Sequence, residues 1–313
     1  MVDIGINYLA GNDECYKILK KHNIINTIKF PGRICDYNHM ESCLKLAKEL
    51  NLKVDLHGLP GMTPAFSCMS DKFIENVDWI RLKEVFNLNN SITRISTHVG
   101  LEHKDSFDNY DKEDVRKKWH ENYQNLKKHM EDLIGKNIDI GLENIPGGFK
   151  YDERSLTPEY VSENWKLSDF GVYDITHAKL AAKTLNMDFS EYLDKLTYRE
   201  KVKIYHVSGN NDETGMYDAK PDKHILLSES EIEDIIKCRE LFKNLDLIVS
   251  EYSFQSKYSI EKEIFIEAVV LHSIVVDGDA KKAKAILMYL KKKLKDDISN
   301  AEEVLNYINM VEE

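Results

Sequence analysis

Short apolar runs of β type alternate along this chain with longer stretches whose apolar residues recur at helical spacing. Eight such runs lie at residues 3–8, 27–30, 53–57, 93–98, 138–143, 171–174, 202–207 and 246–251. Between them, residues 38–51 carry Met40, Leu44, Leu46 and Ala47 on one helical stripe, and residues 115–134 and 229–243 read as further helices. The last of these opens with Ser228 followed by Glu231, the serine-then-glutamate pattern of a helix N-terminus. Eight strands, each followed by a helical or irregular excursion, predict a closed (β/α)8 TIM barrel more than an open doubly wound sheet. No glycine-rich turn follows the first strand, as a nucleotide-binding doubly wound fold would require. From residue 259 onward the pattern is helical only. The organisation expected is therefore a barrel over residues 1–258 and a helical extension over 259–313, packed on or beside it, whose lysine-rich runs form a solvated face.

Length and composition fit this reading. The chain has 313 residues, 42% hydrophobic and 31% charged, a normal size and balance for one barrel with a small appendage. The most apolar stretch, 264–276, is too short to cross a bilayer and contains Glu267 and His272. The first residues read as a strand and not as a leader, so a cytoplasmic, membrane-free protein is expected. Five scattered cysteines without a CxxC pair suggest neither a disulfide framework nor a thiolate zinc site. The net charge of −11 argues against a broad nucleic-acid-coating surface, although metal ions could make a local site positive.

In a TIM barrel the chemistry sits where strands end and loops begin. The third and fourth strands end in His57 and His98, the fifth in Glu143, and the sixth in Asp174 with His177 three residues on. The seventh ends in His206, with Asp222 and His224 in the loop beyond, and the eighth in Glu251. Any one of these could be an ordinary polar residue. Together they bring five histidines and four carboxylates toward one small space, which without compensation would be prohibitive. Divalent cations are the natural compensation, and mixed imidazole and carboxylate donors suit zinc or manganese better than magnesium or calcium. The count of charges also links metal number to substrate. With four carboxylates, one divalent ion leaves the cluster negative, whereas three leave it positive enough to attract a phosphate.

This order of residues resembles the xylose-isomerase-like barrels and, within them, endonuclease IV, the apurinic/apyrimidinic endonuclease family, over the second to eighth strands. That family holds three zinc ions with nine side chains in the order His, His, Glu, Asp-x-x-His, His, Asp-x-His, Glu. The matching residues are His57, His98, Glu143, Asp174 and His177, His206, Asp222 and His224, and Glu251. The resemblance implies a metal-dependent phosphoester hydrolase with up to three ions. Glu143 would position the attacking water, and Glu143, His177 and Glu251 would form the catalytic set. Its implied partners are a small phosphoester or sugar phosphate, or damaged DNA, and the C-terminal helices would offer a surface for self-association.

The alternative within the same superfamily is a single-metal sugar isomerase or epimerase. It would use Glu143, Asp174, His206 and Glu251 around one manganese or similar ion. The two glutamates would move a proton beside the carbonyl, and His177 would contact the substrate. Two departures from endonuclease IV bear on the choice. Pro60 and Gly61 follow the first histidine where that family inserts a bulky loop into DNA, and Ile225-Leu226-Leu227 replaces its Gly-Glu-Gly. The arginine common after the seventh-strand histidine in the sugar enzymes is absent as well. Arg33, after the second strand, is a candidate phosphate contact. A barrel that only binds a partner is the third reading, and it leaves the ligand cluster unexplained.

Overall fold

The computed structural model describes residues 2–31, 37–59, 77–89, 91–98, 112–146, 153–210, 223–251 and 258–311. Its strands are β1 (Asp3–Asn7), β2 (Thr27–Pro31), β3 (Lys53–His57), β4 (Arg94–His98), β5 (Asp139–Glu143), β6 (Phe170–Asp174), β7 (Val202–Val207) and β8 (Leu247–Ser250). All eight coincide with predicted runs to within a residue or so. They pair in parallel in chain order, and β8 closes onto β1 with Ile4 opposite Ile248 and Gly5 opposite Val249. The protein is a (β/α)8 barrel.

The alternation along each strand sorts residues between two cores. Ile28, Phe30, Leu56, Ile95, Ile140, Leu142, Tyr173, Tyr205 and Ile248 belong to the large core shared with the surrounding helices. The inward residues of β6, β7 and β8, Phe170, Val172, Ile204, Leu247 and Val249, make a separate small cluster inside the barrel. Room for it comes from Gly141 on β5, where a β-carbon would overlap the Phe170 ring. The β2–β4 side of the interior is polar: Lys29, Asp55 and Ser96 are buried there, with Arg94 3.8 Å from Asp55. One side of the barrel is thus filled with hydrocarbon and the other with charge.

The helices between strands are α1 (Asp13–Lys21), α2 (Tyr37–Glu49), α3 (Trp79–Leu88), α4 (Lys112–Ile134), α5 (Pro158–Leu167), α6 (Ile175–Thr184), α7 (Phe189–Lys195) and α8 (Glu229–Glu240). Ser228 and Glu231 form a reciprocal capping box at the start of α8, as the sequence pattern predicts. The terminal helices are α9 (Ile260–Val276), α10 (Ala280–Lys293) and α11 (Ala301–Val311). α9 is buried along most of its length and packs on β1, β8 and α1, the place of a barrel's eighth helix. α10 packs on α8 and α9, and α11 on α10. Among the described residues, no helix is long and apolar enough to cross a membrane.

Candidate metal centre

Glu143, at the C-terminal end of β5, is the hub. It is buried, and four imidazole nitrogens surround its carboxylate: His206 Nδ1 at 3.1 Å, His98 Nε2 at 3.2 Å, His177 Nδ1 at 3.2 Å and His57 Nε2 at 3.5 Å. Burial works against ionisation, but the imidazoles of His206, His98 and His57 outweigh it and hold Glu143 well below the usual carboxylate range. His57 and His206 go the other way. Burial first and the Lys29 charge second depress both, His206 to about 4.

The Asp-x-x-His spacing has a local cause. Asp174 is the N-cap of α6, and its Oδ1 accepts from His177 N at 2.7 Å, which turns the chain so that His177 comes back over the strand ends. Asn144 braces the same corner: its side chain accepts from Asp174 N and donates to Asp174 O, both at 2.8 Å. His177 Nδ1 lies 2.9 Å from Asn144 O, which can only accept, so the ring proton sits on Nδ1 and Nε2 is left for a ligand. His57 is oriented by Ser96, whose Oγ is 2.9 Å from Nδ1.

His224 reaches the site from the return of the loop after β7, with Nδ1 3.7 Å from Glu251. Its backbone is left-handed, φ +47°, a conformation that costs a non-glycine residue energy and is held here by the chain on either side. The clamp is the bridge between Gly209 and Ile225, with N–H···O distances of 2.8 and 2.9 Å. A side chain at 209 would collide with Leu226 O and Ile225 O. Gly209→Ala is therefore expected to push the return strand away, at a cost of about 1–3 kcal/mol in unfolding free energy, read as a lowered urea midpoint. Loss of the His224 contact should accompany it, seen as weaker metal binding. An unchanged midpoint would contradict this clamp.

Eight of the nine expected ligands come together. Their donor atoms form four overlapping groups, each lying within 4.8 Å: His57, Glu143, His206 and Glu251; His98, Glu143 and His177; His177, His224 and Glu251; and Glu143, Asp174, His177 and Glu251. Glu143, His177 and Glu251 each belong to three of the four. Glu143 Oε2 and His57 Nε2 are buried and make no hydrogen bond among the described residues, which fits donors meant for a cation. Asp222, the ninth expected ligand, lies outside the described residues, as do Arg33, Pro60 and Gly61.

One participant is absent from the predicted set. Lys29, inward on β2 and buried, forms an ion pair with Glu251 and lies 3.4 Å from His206 Nε2. The signal was available: period-two alternation with outward Ile28 and Phe30 turns Lys29 inward, as it turns Asp55 and Ser96 inward beneath His57 and His98.

A closed parallel barrel with a buried imidazole–carboxylate cluster at its C-terminal rim defines the class: a (β/α)8 protein whose rim side chains could hold a metal ion. No protein-family model matches the chain, and no curated protein matches it by sequence. Solved structures do match. A D-tagatose 3-epimerase-like protein aligns over 100% of both chains at 18% identity with a TM-score of 0.53. An L-ribulose 3-epimerase aligns over 94% of this chain and 100% of its own at 14% identity, also with a TM-score of 0.53. The D-allulose 3-epimerase of Methylomonas sp. aligns over 94% of this chain and 98% of its own at 13% identity, TM-score 0.50. These likenesses show a shared (β/α)8 barrel fold.

These neighbours correct two expectations. The likeness to endonuclease IV and the reading as a phosphoester hydrolase are not supported, because the similar solved structures named above are sugar 3-epimerases or epimerase-like. The hydrolase reading rested on a ligand order, and the rim of a barrel collects such an order whatever reaction it serves. With the hydrolase reading falls the case for damaged DNA as the substrate.

Proposed function

We propose that this protein is a metal-dependent sugar isomerase of the epimerase type, acting on a ketose or a ketose phosphate. The observation that carries the proposal is the convergence of Glu143, Asp174, His177 and Glu251 donor atoms within 4.8 Å at the barrel rim. A divalent ion held by these four residues, zinc or manganese by the nature of the donors, would polarise the carbonyl and a neighbouring hydroxyl of the sugar. Glu143 and Glu251 approach from β5 and β8, and both are buried. One takes the proton from the carbon beside the carbonyl and the other returns a proton to that carbon, which inverts it when the two act on opposite faces. His177 is fixed in place by the contact of its Nδ1 with Asn144 O at 2.9 Å.

Incubation of the manganese-loaded protein with free and phosphorylated ketopentoses and ketohexoses, followed by sugar chromatography, tests this. A new epimer should form from at least one sugar, and removal of the ion with a chelator should abolish it. Conversion that survives chelation would contradict the role given to the ion.

A further inference from the structure

His224 and Glu251 share a donor group with His177, yet they arrive from different parts of the chain. Glu251 follows β8 directly, and His224 lies on the return of the loop after β7. The two ends of that loop are tied together. Gly209 and Ile225 bond to each other, and Asn210 Oδ1 accepts from Lys223 N at 2.8 Å. Glu231 accepts from Asn210 N at 2.6 Å and from Ser228 N at 2.8 Å. These bonds hold the neck of the loop to β7 and α8. Glu267, on α9, joins it to β8.

Glu267 is fully buried. Its Oε2 accepts from the backbone N–H of Leu227, three residues after His224, at 3.2 Å. Its Oε1 accepts from the hydroxyl of Ser250, the residue before Glu251, at 3.1 Å. One carboxyl group thus bridges the two segments whose side chains meet with His224 Nδ1 3.7 Å from Glu251. As support for the fold alone it is a costly residue. Burial disfavours its charge and pushes it up to about 8, and Glu231 and Glu263 add like charge. Residues 264–266 and 268–271 around it on α9 are all buried and apolar, so hydrocarbon would suit the helix. What the carboxyl adds, and hydrocarbon lacks, is a pair of acceptors aimed at two segments of the rim.

We propose that Glu267 is a positioning residue for the candidate metal centre: through Leu227 and Ser250 it sets the spacing of His224 and Glu251, and with it the affinity of the group they form with His177. This rests on the metal-dependent reading above and adds to it a residue of α9 that touches none of the donor atoms. It holds whatever the number of ions bound.

The test has two arms on the full-length protein at neutral pH: titration with Co²⁺ after treatment with a chelator, and backbone hydrogen exchange of residues 223–228 without metal. Glu267→Met keeps the length of the side chain and removes both acceptors. It should bind Co²⁺ about 10-fold or more weakly, the usual scale for a residue that orients metal ligands, and residues 223–228 should exchange faster. Glu267→Gln should restore both, because its amide oxygen accepts from Leu227 N and its NH₂ donates to Ser250 Oγ. Glu263→Met, at another buried carboxyl one turn earlier, should leave both unchanged whatever it does to the melting temperature. Ser250→Ala cuts one end of the bridge and should weaken Co²⁺ binding in the same direction, which decides the matter if Glu267→Met does not fold. A folded Glu267→Met or Ser250→Ala with wild-type affinity would overturn the proposal. So would an equal loss in Glu263→Met, or a Glu267→Gln as weak as Glu267→Met. Wild type that binds no Co²⁺ would remove the metal-dependent reading, and the exchange arm would still decide whether Glu267 holds the His224 segment.

Discussion

Glu143→Gln is expected to cut sugar epimerisation by on the order of 10³-fold, the scale of losing a positioned general acid or base, and to weaken divalent metal binding in the same variant. The glutamine keeps the shape of the side chain and removes its charge. Four imidazole nitrogens lie within 3.5 Å of the Glu143 carboxylate, and no other residue of the cluster is so placed among the described residues. It also belongs to three of the four donor groups, so its loss weakens all three at once. Turnover at saturating metal, compared with metal affinity from titration, separates the two effects. A variant that binds its ion normally but does not turn over would assign Glu143 to proton transfer alone. Activity near that of wild type would remove Glu143 from the mechanism.

A second large effect concerns pH and lies behind the barrel. Glu263 and Glu267, on α9, are buried, and burial pushes both carboxyls up to about 8. Glu267 accepts from Leu227 N at 3.2 Å and Ser250 Oγ at 3.1 Å, which only partly offsets the loss of solvation. In the unfolded chain such groups ionise near 4.5, so between 4.5 and about 8 the folded state holds protons that the unfolded state has released. The stability they confer is complete below the lower value and is lost as the pH rises through the upper one. The expected slope is about 1.4 kcal/mol per pH unit for each group. Urea midpoints of chelator-treated protein should fall from about pH 6.5 to pH 8, above the range in which the depressed imidazoles of His57 and His206 act in the opposite sense. Glu267→Gln should remove one group's share, so that the variant gains on wild type at pH 8 and differs little at pH 5. Parallel pH profiles for the two would show that Glu267 ionises as it does in the unfolded chain.

The barrel was legible because its two periodicities are strong. Alternation in β2 to β8 and helical spacing between them leave few arrangements, and the helix starts at Ser228 and Asp174 follow from capping chemistry written in the chain. The rim ligands were legible because a barrel maps the last residue of each strand onto one ring, which is how His57, His98, Glu143, Asp174 and His206 could be grouped without coordinates. Lys29 escaped because it lies two residues before the strand's end, in the layer below, and only the strand ends were read for ligands. The place of α9 was also hidden. Its nearly continuous apolar sequence gives no face to assign, and its packing on β1 depends on closure of the barrel. The hydrolase reading came from treating a shared ligand order as a shared reaction. The order is set by the rim geometry, whereas the reaction depends on net charge and on how many ions the pocket admits.

The most direct test of the central claim is proton NMR of ketoses incubated in D₂O with the manganese-loaded protein. One carbon-bound hydrogen beside the carbonyl should be replaced by deuterium, in step with the appearance of the epimer, and the exchange should stop with Glu143→Gln. Absence of exchange into every free and phosphorylated ketose tested, from protein shown to carry its ion, would contradict it.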